Sequence, residues 1–316
     1  MKKIFTILAS TILFSMNAQV STNNTNNSGS SASAIGFLTT ASGDYSTALG
    51  YGTTASASYC TAMGYATIAS GSTSTALGVS TTASGDGSTS IGNQTIASAN
   101  NSTAMGASST ASGEVSTAMG YATTASGSTS TTMGLSTTAS GDISTAIGRG
   151  TTASDYGSLV IGQYNFSGSS VTNSATFFNL ENTAFVIGNG NLGSLSDAFK
   201  VNFNGDTTIS NNLTVMGDVE VQSDARLKSN IVSLGATLSK LLQIDGKYYE
   251  MKGRQKIGVL AQEIQEVFPE LVSKDNNEML AVNYQGLVPV LINAMKEQQR
   301  EIDELKEMVK ALASRD

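Results

Sequence analysis

A glycine recurs every fourteen residues, at positions 36, 50, 64, 78, 92, 106, 120, 134, 148 and 162, ten times without slippage. The residue before each is aliphatic or Met: Ile35, Leu49, Met63, Leu77, Ile91, Met105, Met119, Met133, Ile147 and Ile161. An Ala-Ser pair follows five residues after nearly every glycine, from Ala41-Ser42 to Ala153-Ser154. Gly43, Gly71, Gly85, Gly113, Gly127 and Gly141 fall halfway round. The unit reads S-T-A-Φ-G-x-x-T-T-A-S-G-x-x, two short strands and two tight turns. A strictly phased, Thr-rich unit with Gly at its turns predicts a parallel β-solenoid. A disordered low-complexity tract has no reason to keep such a phase. With rungs ~4.8 Å apart, ten turns make a rod about 45 Å long.

The interior of such a rod has room for only one large apolar residue and a few alanines per turn. That core is too thin to offset the entropy of ordering fourteen residues. The shortage predicts association, with several chains packing their solenoids side by side. Motifs such as "STALGYGTTAS" and "STAMGYATTASG" resemble the head repeats of YadA-type trimeric adhesins. The resemblance implies a left-handed parallel β-roll, a homotrimer, and a surface-exposed binding or stalk-like module over residues 34–162. The implied partners are other copies of the chain and a host, cell-surface or matrix ligand.

Charge divides the chain. Residues 20–162 carry only Asp44, Asp86, Glu114, Asp142, Arg149 and Asp155, whereas 223–316 hold 27 of the 41 charged side chains. A net charge of -7 argues against a nucleic-acid partner, which needs clustered Lys and Arg. With no His and one Cys, neither a Ser-His or Cys-His pair nor the usual zinc site can be built. No Asp-rich loop has calcium-ligand spacing. No metal or cofactor is expected, and the base of any catalysis must be Lys or a carboxylate. One Cys permits no intrachain disulfide. Cys60 stands where other units have Ser (Ser46, Ser74, Ser88), which reads as a small residue inside the roll ahead of an interchain crosslink.

The N-terminus, "MKKIFTILASTILFSMNAQV", pairs Lys2 and Lys3 with an apolar run from Ile4 to Met16 and then small residues. This is the pattern of a secretory signal peptide cut near Ala18. The run is shorter than the ~20 residues of a membrane span, and no later stretch could cross a bilayer as a helix. The expected location is secreted or at the cell surface, in association with the outer membrane. The domain plan is a signal peptide at 1–18, a polar linker at 19–33, the head at 34–162, a connector at 163–222 and a C-terminal unit at 223–316.

Paired threonines at 39–40, 53–54, 81–82, 123–124, 137–138 and 151–152 would stack on one solenoid face. A flat Thr ladder could order water, as ice-binding solenoids do; β-propensity and polar solvation explain it as well. After Gly162 the period fails. Aromatics enter (Tyr164, Phe166, Phe177, Phe178, Phe185), as in a cap or neck closing the solenoid. "FKVNFNGDTTISNNLTVMGDVEVQ" then alternates apolar and polar residues, with Asn204-Gly205 and Gly217-Asp218 as turn signals.

In the last segment Val288, Leu291, Met295, Gln298, Ile302, Leu305, Val309 and Leu312 are spaced three and four apart, the a/d seam of a coiled coil. The alternative is a lone amphipathic helix packed on its own domain. "SDARLKSNI" at 223–231, "KIGVLAQEIQEVFPELV" at 256–272 and "AVNYQGLVPVLINAM" at 281–295 together resemble the intramolecular chaperone domain of endosialidases and tail fibres. The fold class implied for the whole chain is mainly β, a trimeric roll followed by a small α+β chaperone domain ending in a coiled coil. The second resemblance also implies that the domain trimerises, guides folding of the fibre before it, and cuts itself off with a Ser-Lys dyad. The matching residues are Ser223 as nucleophile and Lys228 as general base, with Gln222–Ser223 as the scissile bond. Residues 223–228 taken alone favour Ser223-Asp224 capping a helix that begins at Ala225, and the match over the whole domain reverses that preference. An uncleaved adhesin with a C-terminal trimerisation tip is the second expectation. A glycan-active enzyme is disfavoured because the repeats offer no paired carboxylates facing a cleft.

Overall fold

The computed structural model describes residues 22–166, 168, 174–274 and 278–314. The proposed signal peptide lies outside them. Each turn of the roll contributes one five-residue strand, such as Thr47–Tyr51, and one two-residue strand, such as Thr54–Ala55. The long strands stack in parallel and in register, Gly on Gly and Φ on Φ (Leu49↔Met63, Gly50↔Gly64). With the first strand Thr22–Asn23 and three strands after the roll they form a fourteen-stranded sheet, and the short strands form a ten-stranded sheet beside it.

Two corners per turn, seven residues apart, take the left-handed conformation. One series includes Leu38, Ala66 and Ser80; the other includes Tyr45, Thr73 and Val115, all at φ between 52° and 57°. Such a conformation costs a non-glycine residue about 1–2 kcal/mol. Bonds between rungs offset it: Tyr45 N donates to Ser30 O and Ser80 N to Tyr65 O, each at 2.8 Å. The invariant glycine column is stricter. At Gly78, with φ +133°, an added Cβ would lie 1.9 Å from the carbonyl oxygen of Gly92. The halfway glycines lack that positive φ, and Ala57, Ala99 and Asp155 replace them in three turns.

The interior differs from expectation. It is filled by Ala48, Ala62, Ala76 and their equivalents on the long strands, Ala41 to Ala153 on the short strands, and buried Thr and Ser columns (Thr53, Thr67, Ser74, Ser88). The large Φ residues point outward: Met63, Leu77, Met133 and Ile147 are exposed and the rest half-buried. Alternation along the strand is the cause, because successive side chains leave opposite faces and Ala takes the inward position. Nothing wider than Ala, Ser, Thr or Val fits between the facing sheets. Among the described residues the side-chain oxygens of Thr39, Thr53, Thr67 and Thr81 find no hydrogen-bond partner, so this interior is more polar than expected.

The threonine pairs are divided by the same alternation. Thr39, Thr53, Thr81, Thr123, Thr137 and Thr151 are buried while their neighbours are half-exposed, and Ile68 and Ile96 interrupt the outer column. The doubled Thr ladder on which ice binding rested is therefore not presented. Cys60 is buried in the Ser column, its Sγ 2.9 Å from Ala57 O, and burial raises its thiol pKa. That leaves no thiol on the surface for an interchain crosslink.

The roll also begins earlier than the linker assigned to 19–33. Thr22–Asn23 pairs with Gly36 and Phe37, and Asn26–Asn27 with Thr40 and Ala41. Backbone bonds and one side-chain bond, Ser30 N to Asp44 Oδ1 at 2.8 Å, build this polar first rung, which lacks the Φ-Gly signature. At the other end Asn165 replaces a strand: its amide accepts from Thr152 N at 2.8 Å and donates to Thr152 O at 2.9 Å, ending the short sheet. Buried Asp155 accepts from Thr183 N at 2.8 Å and seats the next strand. That strand, Thr183–Asn189, adds a parallel rung on Leu159–Gln163, and the antiparallel strands Asp197–Asn202 and Thr207–Ile209 follow. Asn204-Gly205 makes the hairpin turn, with Gly205 at φ +92°. Gly217-Asp218 joins no pair of strands.

After Met216 a second compact unit begins. Its core is Ile264, Phe268 and Val290, packed with Leu241, Val259, Leu271 and Leu287. Two hairpins, Lys247–Met251 with Arg254–Gly258 and Val272–Lys274 with Leu280–Val282, flank a short helix, Ala261–Val267. The long helix Leu287–Ala313 ends the described chain. Its half-buried Glu297 accepts from Thr237 N at 2.5 Å and Leu238 N at 3.2 Å, capping the helix Leu238–Leu241 from outside. Among the described residues no helix is long and apolar enough to cross a membrane.

Candidate functional site

Ser223 and Lys228 meet. Lys228 Nζ lies 2.6 Å from Ser223 Oγ within the same chain. Between them runs a single 3₁₀ turn, Ala225–Leu227, entered from Asp224 in extended geometry (φ −61°, ψ 133°) and left through Lys228, also extended (φ −117°, ψ 145°). Ser223 does not cap this turn. Asp224 does, with Oδ1 accepting from Arg226 N at 2.8 Å. The cap and the dyad therefore belong to adjacent residues, and the two readings of 223–228 are compatible. The expected longer helix at Ala225 is only three residues because backbone N–H donors at Leu227 and Lys228 reach back to Asp224 and Ala225 and then stop.

Arg226 closes on the same carboxylate, with Nη2 2.6 Å from Oδ2 and Nε 3.1 Å from both oxygens. The guanidinium, then the backbone N–H, hold the Asp224 carboxyl below its ordinary range, and the carboxylate raises the Arg226 pKa in turn. The Asp224–Arg226 pairing escaped the sequence reading; its signal was the D-x-R spacing inside "SDARLK". All ten residues of 221–230 are exposed, including both members of the dyad. A lysine serves as general base when its ammonium is desolvated. Among the described residues none covers Lys228.

Two surfaces suit the association expected from the sequence. On the helix Leu287–Ala313, Leu287, Val290, Ala294 and Glu297 face the unit's own core or cap its short helix. The seam residues Val288, Leu291, Met295, Ile302, Leu305, Val309 and Leu312 are 40–70% exposed along another face. A helix packed only on its own domain would have used the seam for that packing; here it is left over. On the roll, the outward Φ column forms a second apolar stripe beside Phe37, Tyr51 and Tyr65, whose rings stack at 5.2–5.3 Å.

Comparison with known families agrees with this division. Residues 28–137 and 139–165 match the YadA head domain repeat in overlapping pairs of copies. Residues 223–273 match a peptidase family described as chaperone of endosialidase. This second match contains Ser223 and Lys228 and stops short of the long helix. The chain is also similar to long tail fibre protein Gp37 of Escherichia phage AR1, at 35% identity over 96 residues, covering 27% of this chain and 9% of that protein. It is 33% identical over 101 residues to Gp37 of Enterobacteria phages M1 and Ox2, covering 28% of this chain and 40% of each. The alignments thus span less than half the length of these relatives. The chain joins a segment that matches YadA head repeats to one that matches the endosialidase chaperone, and over about a quarter of its length it resembles long tail fibre proteins.

Proposed function

We propose that this chain is a secreted or surface homotrimeric fibre whose C-terminal unit drives trimeric folding and then cuts the chain at Gln222–Ser223. The observation that carries the reading is the 2.6 Å approach of Lys228 Nζ to Ser223 Oγ across five residues. In the neutral form Lys228 takes the hydroxyl proton, and Oγ bonds to the carbonyl carbon of Gln222. The C–N bond then breaks, the Ser223 nitrogen takes the proton from Lys228, and the resulting ester is hydrolysed by water to a Gln222 carboxylate and a free Ser223 hydroxyl. Each chain reacts once, with itself as substrate; no cofactor enters and no external substrate is expected.

Trimerisation supplies what the single chain lacks. The helix seam and the outward Φ column are apolar surfaces that three chains would bury. Joining chains at the C-terminal unit raises their local concentration while the slow, non-local β-roll forms. Removal of that unit leaves a product unable to retrace its folding path. The exposure of the dyad in the single chain is the observation that favours the alternative, an uncleaved adhesin with a trimerisation tip. Intact mass decides: a fragment beginning at Ser223, present in wild type and absent in Ser223→Ala, supports cleavage. Only uncut chain in wild type sinks it.

A further inference from the structure

We infer that Asp224 and Arg226 are positioning residues of the dyad, which hold Lys228 against Ser223 by bracing the one turn between them. The inference rests on the self-cleavage reading.

Residues five apart do not share a face of a regular helix. Ser223 and Lys228 nevertheless touch, because two extended residues flank one 3₁₀ turn and the chain doubles back between them. What holds that turn is the question. None of Ala225, Arg226 and Leu227 is buried, so packing does not. Its backbone contributes two hydrogen bonds, Leu227 N to Asp224 O and Lys228 N to Ala225 O, both 3.1 Å. An isolated turn of this size is marginal in water. The Asp224 carboxylate supplies the rest. It accepts the Arg226 backbone N–H from inside the turn, and the Arg226 guanidinium grips both its oxygens from outside.

This brace is separate from the reacting atoms: the carboxylate's hydrogen bonds go to Arg226, while Lys228 Nζ bonds Ser223 Oγ. Its effect would therefore fall on how often Lys228 is in reach and not on the protonation equilibrium of the lysine. The two roles separate in a pH profile. A positioning residue lowers the plateau of the rate at all pH values; an electrostatic one moves the midpoint.

The test follows single-turnover maturation of the full-length chain by intact mass, as appearance of the fragment beginning at Ser223, across a pH series. Asp224→Ala is expected to cleave roughly fivefold to tenfold more slowly, the scale of losing one cap, with the midpoint unchanged. Asp224→Asn is expected to recover most of the rate, since its amide oxygen still accepts the Arg226 N–H. Wild-type rate in Asp224→Ala, a shifted midpoint, or an Asp224→Asn rate no better than Asp224→Ala overturns the inference. Should Asp224→Ala fail to assemble, Arg226→Ala keeps the cap and removes the grip; a severalfold loss supports the brace and an unchanged rate refutes it. No fragment from wild type overturns the self-cleavage reading itself, and is distinguished by needing no variant at all.

Discussion

Replacing Gly78 by Ala tests the ladder where close approach and positive φ coincide. At φ +133° the position is nearly exclusive to glycine, and holding a side chain there costs about 1–3 kcal/mol. The added Cβ would stand 1.9 Å from Gly92 O, where real contacts essentially never fall below 3.0 Å. The rungs Thr75–Val79 and Thr89–Asn93 would have to part by about 1 Å in a ~4.8 Å spacing. Two or three ladder bonds would then be lost or weakened, at ~0.5–1.5 kcal/mol each. The total is about 3–6 kcal/mol, a fall in Tm on the order of 10 °C for a roll of this size. Gly113→Ala is the control. Its added Cβ would stand just as close, 1.9 Å from Gly127 O, but it lacks the positive φ, and Ala57 and Ala99 stand in the same column of other turns. It should cost less than Gly78→Ala by the about 1–3 kcal/mol of φ strain. Far-UV circular dichroism melts of the full chain give both values. A Gly78→Ala melt within about 2 °C of wild type, or equal losses for the two variants, would refute the reasoning.

Val115→Asn should stabilise the roll by about 1 kcal/mol, because a β-branched residue at φ 57° is replaced by the type already found at the equivalent corner, Asn101 (φ 55°); chemical denaturation checks it. Ile302→Asp with Leu305→Asp should reduce the proposed trimer to single chains in light scattering while helix content survives, since these side chains are exposed and lie outside the unit's hydrophobic core. Val290→Asp, placed in the core, should instead unfold the unit. Backbone donors at Thr237 hold the Glu297 carboxyl below its ordinary 4.5, with Leu238 N–H adding to this. A lowered folded-state pKa means the cap's stabilisation is full above pH 4.5 and is lost as pH falls below it. Glu297→Gln should remove that acid-limb dependence from the unit's unfolding curve, and an unchanged acid limb would exclude the cap as its source.

Much of this fold was legible because its signals are local and repeated. Gly at positions 36 to 162 announces a turn period whatever surrounds it, since the backbone conformation that demands glycine is a property of the rung. The seam from Val288 to Leu312 was legible for a similar reason, as helical spacing needs no tertiary knowledge. The first rung at 22–33 was missed because it lacks the Φ-Gly pair and is held by bonds to the next rung, which no pattern in its own residues marks. Asn165 was missed because a side chain imitates a strand there, and no sequence pattern marks that use.

At the candidate site the sequence determined the two residue types and their spacing, the absence of His left Lys or a carboxylate as the available base, and only the resemblance to the chaperone domain singled out Lys228. It could not decide whether Ser223 or Asp224 is the cap, because both side chains can accept a backbone N–H and only the chain's path selects one. Nor could it decide which residues of Thr-Ala-Φ face inward. Alternation requires that neighbours face opposite ways but leaves the phase free; the narrow gap between the two sheets sets it, admitting Ala and excluding Leu and Met. The period was written in the sequence. The face on which its largest apolar side chains lie was decided by the space between sheets, which exists only once the chain has folded.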